Sequence, residues 1–439
     1  MNDAASSGRC ARAHQHRRAA LRVALACLAG LMAAPVAAAG FKRSACPESI
    51  AAIASCHEIR DTKGAYVLVA MPKQWNRKLI VHAHGGPRLD APKRGDSMAD
   101  LERHVVMVKA GYAWVGSTYR RGGYGVRMAA ADVERSRKLF LRHFPKPSRV
   151  ILHGQSWGGN VAAKLAELHA LDGRGRPRYD AVLTTNAILM GGTRAYGFRA
   201  DLRVIWQYYC NNHPAPDETQ YPLWQGLPRD VRMSRQELEA RIDACTGLST
   251  PAARSEEQSS RLRQILAVSG VAEQQLASHL AWATFHFQDL VHKRLDGRNP
   301  FDNRRTEYRG STDDTALNAA VQRFDADPAA LAKLAYDADL SGLIVLPTLN
   351  VHASGDPVVS PQALAAYAAT VHQAGRSHLV AQALTREADH SRLDDSTYLA
   401  ALKAIEDWLT TGQQPQAASL QKHCESVAVE RGACAFSAP

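Results

Sequence analysis

The pentapeptide Gly-Gln-Ser-Trp-Gly at residues 154–158 is the clearest chemical pattern in the chain. A predicted strand runs into Gly154, and a predicted helix begins at Trp157. On a sharp strand-to-helix turn of this kind the serine hydroxyl projects from the carboxyl end of a sheet, while the glycines leave room for the crossing backbone. The pattern therefore predicts that Ser156 is a nucleophile that attacks a carbonyl carbon.

A serine hydroxyl is a poor nucleophile unless a base accepts its proton, and that base needs an acid to orient it. With this turn the partners follow in the chain order Ser, acid, His. Asp356 lies in a Gly-Asp-Pro turn directly after the sixth predicted strand, so we expect it to be the acid. His390 follows the seventh predicted strand and is the expected base.

Other acids and histidines compete for these two roles and fit them less well. The rival acids both precede the sixth strand, at its wrong end. Two rival histidines lie at the wrong end of the sheet, and a third is close to Asp356. These rivals are Asp327, Asp337, His372, His378 and His352.

The loop after the second predicted strand reads His-Gly-Gly-Pro at residues 84–87. A tetrahedral intermediate needs backbone N–H donors directed at its developing oxyanion. The N–H of Trp157, the residue after the nucleophile, is one expected donor. Gly86 is the expected second donor, with Gly85 as the alternative, because Pro87 has no N–H. We interpret His84 as a residue that supports this loop.

A second glycine-rich loop, at residues 119–125, follows the third predicted strand and is expected to open near the same mouth. It is either a simple connection or a contact for a substrate carboxylate through Arg120 or Arg121.

The candidate site residues lie in loops between predicted strands, which are continuous apolar segments, and predicted helices, which are amphipathic segments. Continuous apolar strands between helices indicate a mostly parallel sheet covered on both faces, which is an α/β fold. The predicted strands are 64–71, 78–84, 113–118, 148–153, 181–189, 343–352 and 378–384, and the predicted helices are 99–110, 128–144, 157–170 and 395–409.

About 150 residues between the fifth and sixth strands show helical stretches and no convincing strand, so we predict a helical cap at 190–341. Its aromatic side chains either form the core of the cap or line a substrate pocket. They are Trp206, Tyr208, Tyr209, Tyr221, Trp224, Trp282, Phe285 and Phe287. The remaining predicted divisions are a sheet domain in two parts, 40–189 and 342–412, and an exposed C-terminal extension, 413–439.

Residues 1–39 have the pattern of a secretory signal. Five arginines precede an Ala/Leu-rich run from residue 23 to about residue 34, and a small-residue cleavage site ends at Ala39. The alternative is an N-terminal membrane anchor, although the run is short for a bilayer. We expect a secreted or periplasmic protein without stable membrane insertion after cleavage.

Eight cysteines become six after removal of this signal, and they fall into three pairs that are close in sequence. An exported context favours disulfides within these pairs. In a cytosolic protein they would be buried free thiols. The pairs are Cys46/Cys56, Cys210/Cys245 and Cys424/Cys434.

The 439 residues are 46% hydrophobic and 22% charged, which excludes a disordered chain. Loss of the signal lowers the formal net charge from +12 to +8. No run of five Lys or Arg residues occurs, so we expect a diffuse basic surface that favours anionic groups, and no nucleic-acid partner. No CxxC or matching histidine spacing predicts a metal site, and no cofactor is expected.

Taken together, the motifs HGGP, GQSWGG, GDPVV and ADH resemble the α/β-hydrolase superfamily over residues 64–189 and 343–409. HGGP, the tryptophan after the nucleophile and the cap are similar to the proline iminopeptidase and tripeptidyl aminopeptidase branch. Arg88 and Gln155 depart from that branch's pattern, and GDPVV is similar to the carboxylesterase and dienelactone hydrolase type.

The resemblance and the residues together predict a serine hydrolase that cleaves a small-molecule carboxylic ester through an acyl-enzyme. The first alternative is an exo-acting peptidase on short peptides, with Glu237, Glu239 and Asp243 of the cap holding the peptide amine. The second is a catalytically silent binding protein of the envelope. The acyl and alcohol groups and the oligomeric state stay open.

Overall fold

The computed structural model describes residues 40–427 and 434–439 of the chain. The predicted signal at 1–39 and its cleavage site therefore lie outside the described residues. Among those residues, no helix is long and apolar enough to cross a membrane.

A ten-stranded sheet forms the centre of the molecule, in the order β1-β2-β3-β5-β4-β6-β7-β8-β9-β10. The six central strands, β5-β4-β6-β7-β8-β9, are parallel to one another. The strands β1, β2 and β3 on one side and β10 on the other pair antiparallel with their neighbours. The strands are β1 (Lys42–Ser44), β2 (Ala54–Arg60), β3 (Tyr66–Pro72), β4 (Lys78–Ala83), β5 (Ala113–Ser117), β6 (Arg149–Gln155), β7 (Ala181–Thr185), β8 (Thr348–Ala353), β9 (Val380–Thr385) and β10 (Phe436–Ser437).

Helices cover both faces of the sheet. They are α1 (Glu48–Ala51), α2 (Asp96–Arg103), α3 (Val105–Lys109), α4 (Val126–His143), α5 (Trp157–His169), α6 (Thr193–Cys210), α7 (Arg235–Thr246), α8 (Glu256–Ser269), α9 (Leu276–Ala281), α10 (Phe287–Asp289), α11 (Asp314–Ala320), α12 (Pro328–Ala338), α13 (Gln362–Gln373), α14 (Asp395–Thr411) and α15 (Ala417–Ser426). Two π-helical turns, Trp282–His286 and Leu290–Arg294, continue the helical segment after α9 and α10.

The alternation of side chains along β4 shows how the core is divided. Leu79 and Val81 point to one face, where they join a hydrophobic cluster with residues of α4, α5 and the helices between β7 and β8. Ile80 points to the other face, where it joins residues of α2, α3 and α14. Both faces of the strand are thus buried, as expected for a parallel sheet between two helical layers.

The mostly parallel sheet with helices on both faces confirms the predicted fold class, and all seven predicted strands are present. Two of them, β7 and β8, are four residues shorter than predicted. β7 ends at Thr185 because Asn186 turns the chain with φ of +46°. β8 begins only after Pro347, which has no N–H to donate to a ladder.

Three strands were not predicted, and one of them corrects the expectation of an exposed C-terminal extension. α15 packs against α14 and buries Leu420, and β10 pairs with β9 at the edge of the sheet. The segment between β7 and β8, which the structure describes throughout, contains α6 to α12 and no strand. All three predicted cysteine pairs form disulfides in the structure.

Candidate active site

Ser156 lies in the turn between β6 and α5 with φ of +57° and ψ of −127°. A non-glycine residue in such a conformation costs on the order of 1–3 kcal/mol, so its surroundings must hold it there. A Cβ on Gly158 would lie 2.1 Å from Ala83 O, and a Cβ on Gly154 would lie 2.3 Å from Gly158 O. The two glycines are therefore required by the close approach of neighbouring backbone.

His390 contacts both predicted partners from the loop after β9. Its Nε2 lies 2.8 Å from Ser156 Oγ, and its Nδ1 lies 2.9 Å from each carboxylate oxygen of Asp356. With Nδ1–H donating to the carboxylate, Nε2 carries a lone pair that accepts the serine O–H. The structure thus brings together the three side chains that the sequence singled out for proton transfer.

Asp356 is 1% exposed, and backbone donors help to hold its carboxylate. Its Oδ1 accepts the N–H groups of Val358 and Val359 at 2.7 and 3.0 Å. These bonds fix the orientation of the carboxylate in a buried place. The carboxylate is therefore positioned by its own turn before any substrate arrives.

The rival base His352 lies on the other side of this carboxylate. Its Nε2 donates to Val359 O at 3.0 Å and lies 3.5 Å from Asp356 Oδ2. Burial lowers its pKa, so the ring is neutral, and it supports the acid turn rather than the serine.

Two amide side chains hold the backbone of His390, and no sequence pattern indicated either contact. Gln155 Nε2 donates to His390 O at 2.8 Å. Asn186 Nδ2 donates to His390 O at 3.0 Å and to Asp389 O at 2.8 Å, while its Oδ1 accepts the N–H of Ala353 at 2.8 Å. Asn186 therefore connects the ends of β7 and β8 to the loop that carries the imidazole.

The His-Gly-Gly loop comes next to the serine. A Cβ on Gly85 would lie 3.2 Å from Ser156 Cβ, and Gly86 has φ of +68°. Trp157 is the first residue of α5, so its N–H has no acceptor within the helix. The predicted oxyanion donors thus belong to two backbone segments that flank the serine.

His84 and Tyr119 hold this loop in place. The His84 ring contacts Gly85 O through Nδ1 at 2.7 Å, and its pKa falls to about 3 because it is buried and close to Arg88. The neutral ring stacks on Tyr119, whose O–H donates to His84 O at 3.0 Å. Tyr119 is a further residue of the site that the sequence did not identify.

Several other candidates have partners elsewhere. Arg120 pairs with Asp132, and Arg121 donates to the carbonyls of Gly122 and Tyr124, so neither fits the expectation of a free cation for a substrate carboxylate. The rival acids are structural as well, because Asp327 caps α12 and Asp337 accepts N–H groups at the start of α4.

A groove of about 560 Å³ opens beside Gly86 and Pro87. Trp282 and Phe285 of the segment between β7 and β8 form part of its wall, whereas Trp206 and Phe287 of the same segment are buried in the core. Some of the aromatic residues therefore line the groove, and others form the core of the segment. Charged residues around the groove are Arg88, Lys93, Arg235, Asp90 and Asp96.

A parallel sheet with a serine on a strained strand-to-helix turn, an acid after one later strand and a histidine after the next is the arrangement of the α/β-hydrolase class. A family model described as "alpha/beta hydrolase fold" matches residues 115–384 of this chain. The chain therefore belongs to the α/β-hydrolase fold family.

Solved structures with a similar fold include three hydrolases. Candida antarctica lipase A is 15% identical, with 89% of this chain and 90% of that chain covered and a TM-score of 0.43. The rice cell wall degrading esterase LipA from Xanthomonas oryzae is 14% identical, with 85% and 95% covered and a TM-score of 0.39. Feruloyl esterase B from Aspergillus oryzae is 12% identical, with 86% of each chain covered and a TM-score of 0.43. No curated protein sequence matches this chain.

Proposed function

We propose that the protein is a serine hydrolase that cleaves carboxylic esters through an acyl-enzyme. The observation that carries this proposal is the continuous contact from Ser156 Oγ through the His390 ring to Asp356, with heavy-atom distances of 2.8 and 2.9 Å. Three side chains held at these distances in a largely buried place form a proton-transfer unit.

In the first step His390 Nε2 accepts the proton of Ser156 as Oγ attacks the ester carbonyl. The imidazolium that forms is stabilised by the carboxylate of Asp356, which accepts Nδ1–H and is held by the backbone N–H groups of Val358 and Val359. His390 then gives the proton to the leaving alkoxide. A water molecule repeats the sequence on the acyl-serine and releases the acid.

The tetrahedral intermediate places negative charge on the former carbonyl oxygen. We assign its stabilisation to the N–H groups of Trp157 and Gly86. Donors fixed by the fold before reaction require no reorganisation, and loss of one such donor costs about 10²–10³ in kcat in known enzymes. His84 and Tyr119 support the loop that presents Gly86.

The charge of the groove beside Gly86 favours an ester over a peptide with a free amine. The groove beside Gly86 has three cationic side chains, Arg88, Lys93 and Arg235, against two carboxylates. Such a surface repels an ammonium group and attracts an anionic one. Its aromatic wall suits an apolar acyl or alcohol group.

Two of the three acidic residues considered for a peptide amine, Glu237 and Asp243, have other partners, whereas Glu239 is exposed on α7. Glu237 accepts the N–H of Ser234 in the capping box of α7, and Asp243 accepts the N–H and O–H of Ser249. Binding an ammonium group through Glu237 would compete with the cap of α7, and binding it through Asp243 would compete with the loop after that helix. The ester assignment is therefore the better supported of the two.

We also propose export, on the basis of the basic and apolar N-terminal pattern together with three disulfides.

Hydrolysis of p-nitrophenyl acyl esters compared with amino-acyl-p-nitroanilides tests the assignment. The proposal expects turnover of esters by the wild-type protein, little turnover of anilides, and loss of both in a folded Ser156→Ala variant. Dominant anilide hydrolysis would replace the ester assignment with the peptidase.

A further inference from the structure

Three buried histidines meet on the face of the sheet that α3 and α14 cover. His82 on β4 and His153 on β6 lie opposite each other in the parallel ladder, so their side chains point to the same face. His104 joins them from the junction between α2 and α3. All three side chains are at most 1% exposed.

Their ring nitrogens converge. Each residue offers one nitrogen such that the three atoms all lie within 4.8 Å of one another, and no other group of three or more His, Cys, Asp or Glu among the described residues does so. The Nδ1 atoms of His82 and His153 are 2.9 Å apart. The rings are close as well, with centroids between 4.7 and 5.0 Å apart.

Hydrogen bonds on the outer side of the cluster orient two of the rings. His104 Nδ1 donates to Asp100 O at 2.8 Å, which leaves a lone pair on its Nε2. His153 Nε2 lies 3.2 Å from Thr185 Oγ1, which leaves its Nδ1 directed towards His82. A bond from the outer ring nitrogen to a backbone carbonyl or a hydroxyl is how metal-binding histidines are usually held.

The atom through which His104 would bind an ion is unpaired. His104 Nε2 is buried and has no hydrogen-bond partner, whereas the Nδ1 atoms of His82 and His153 face each other. Buried polar atoms in folded proteins nearly always have one, and an unpaired atom has to be explained. The neighbouring aromatic side chains do not supply a hydrogen-bond partner. Trp114 stacks on His82, and Tyr398 contacts His104 and His153 with its aromatic ring.

We propose that His82, His104 and His153 bind one divalent metal ion of the kind that prefers imidazole, Zn²⁺ or Cu²⁺. At Zn–N distances of about 2.0–2.1 Å, ligand nitrogens of a tetrahedral site are roughly 3.4 Å apart. The His82–His153 pair would open slightly to reach this spacing, and His104 would move inwards. His104 lies between two helices rather than inside a strand, so its backbone can follow that shift.

The site is separate from the chemistry of Ser156, because its ligands are buried against Tyr398 of α14 and none of them is a hydrogen-bond partner of Ser156 or His390. Its role is to fasten the α2–α3 junction to the sheet below the two segments that flank the serine. An ion that binds only the folded chain stabilises it against unfolding. The sequence did not predict this site because its ligands are widely spaced along the chain.

Metal content and spectra of protein produced without a histidine tag test the proposal. Cells are grown with added Zn²⁺, Cu²⁺ or Co²⁺, and the purified protein is dialysed against metal-free buffer before elemental analysis. The wild-type protein is expected to keep about one ion per chain, and the Co²⁺ form is expected to show the visible absorption of a nitrogen-bound tetrahedral ion. Removal of the ion by a chelator is expected to lower Tm.

His104→Leu is the matched variant, and His372→Gln is its control, since it removes a histidine from the exposed end of α13. His104→Leu is expected to lose the ion and the chelator effect on Tm, whereas His372→Gln and Ser156→Ala keep both. If His104→Leu does not fold, the Co²⁺ spectrum of the wild-type protein decides. Wild-type protein with only traces of each metal, a Co²⁺ form without that absorption, or a folded His104→Leu that keeps one ion, would overturn the proposal, and none of these results depends on ester hydrolysis.

Discussion

Asn186 offers a sharp test of how the site is positioned, because its carboxamide links three backbone groups. It donates to Asp389 O and His390 O and accepts the N–H of Ala353. Asn186→Asp keeps the shape, the tolerance for φ of +46° and the acceptor, but it removes both donors. The new carboxyl group would then face two carbonyl oxygens in a place that is 1% exposed.

The expected effects follow from counting the groups that lose a partner. Asp389 O is left unpaired, whereas His390 O keeps its bond from Gln155. An unpaired buried group costs about 1–3 kcal/mol, and more where charge is involved, so we expect a loss of roughly 2–4 kcal/mol in the free energy of unfolding. A shift of His390 away from Ser156 by an ångström lowers kcat by about 10²-fold. Denaturant unfolding and p-nitrophenyl ester kinetics measure the two effects.

Asn350→Asp is the matched control. Asn350 is also fully buried, and its Oδ1 accepts the O–H of Thr184, but it has no contact with the loop that carries His390. We expect a comparable loss of stability with unchanged kcat. The reasoning is refuted if folded Asn186→Asp keeps the kcat of the wild-type protein, or if Asn350→Asp loses kcat to the same extent.

Three further predictions concern the charge, the crosslinks and the loop beside the serine. Burial and a neighbouring guanidinium lower the pKa of His279 to about 2, so below its unfolded pKa of 6.5 the unfolded chain binds a proton that the folded protein does not. The free energy of unfolding should therefore fall by about 2–3 kcal/mol between pH 6.5 and pH 4.5 through this group, and less in His279→Phe; an equal fall in both proteins would contradict this. The disulfide Cys210–Cys245 spans 35 residues, so its replacement by two alanines should cost about 3–4 kcal/mol, and an unchanged Tm would disprove that contribution. Tyr119→Phe keeps the stacking on His84 but removes a buried donor to the loop, so kcat should drop several-fold with a small fall in Tm, and full activity would exclude this supporting role.

The parts of the fold that depend on local pattern were accessible from the sequence. Strands buried on both faces have continuous apolar segments, and the parallel ladder places the carboxyl ends of β6, β8 and β9 at one edge of the sheet. The order Ser, acid, His then singled out Ser156, Asp356 and His390 as candidates, and the structure brings these side chains together.

Other features depend on contacts between distant residues, and they leave no local pattern. Asn186 follows a strand like many turn residues, and its three bonds exist only because β7, β8 and the His390 loop meet. β10 is only two residues long and pairs with β9 at the edge of the sheet. A strand this short has no alternation of apolar and polar residues from which it could be predicted. The convergence of His82, His104 and His153 likewise requires the folded sheet.

Labelling with a fluorophosphonate probe, followed by peptide mapping, tests the central claim most directly. Such a probe forms a covalent bond only with a serine oxygen that a neighbouring base has activated. We predict that at neutral pH one label is found per chain, on the peptide that contains Ser156, and that His390→Ala loses it. A folded wild-type protein that stays unlabelled, or that carries its label on another serine, would contradict the account.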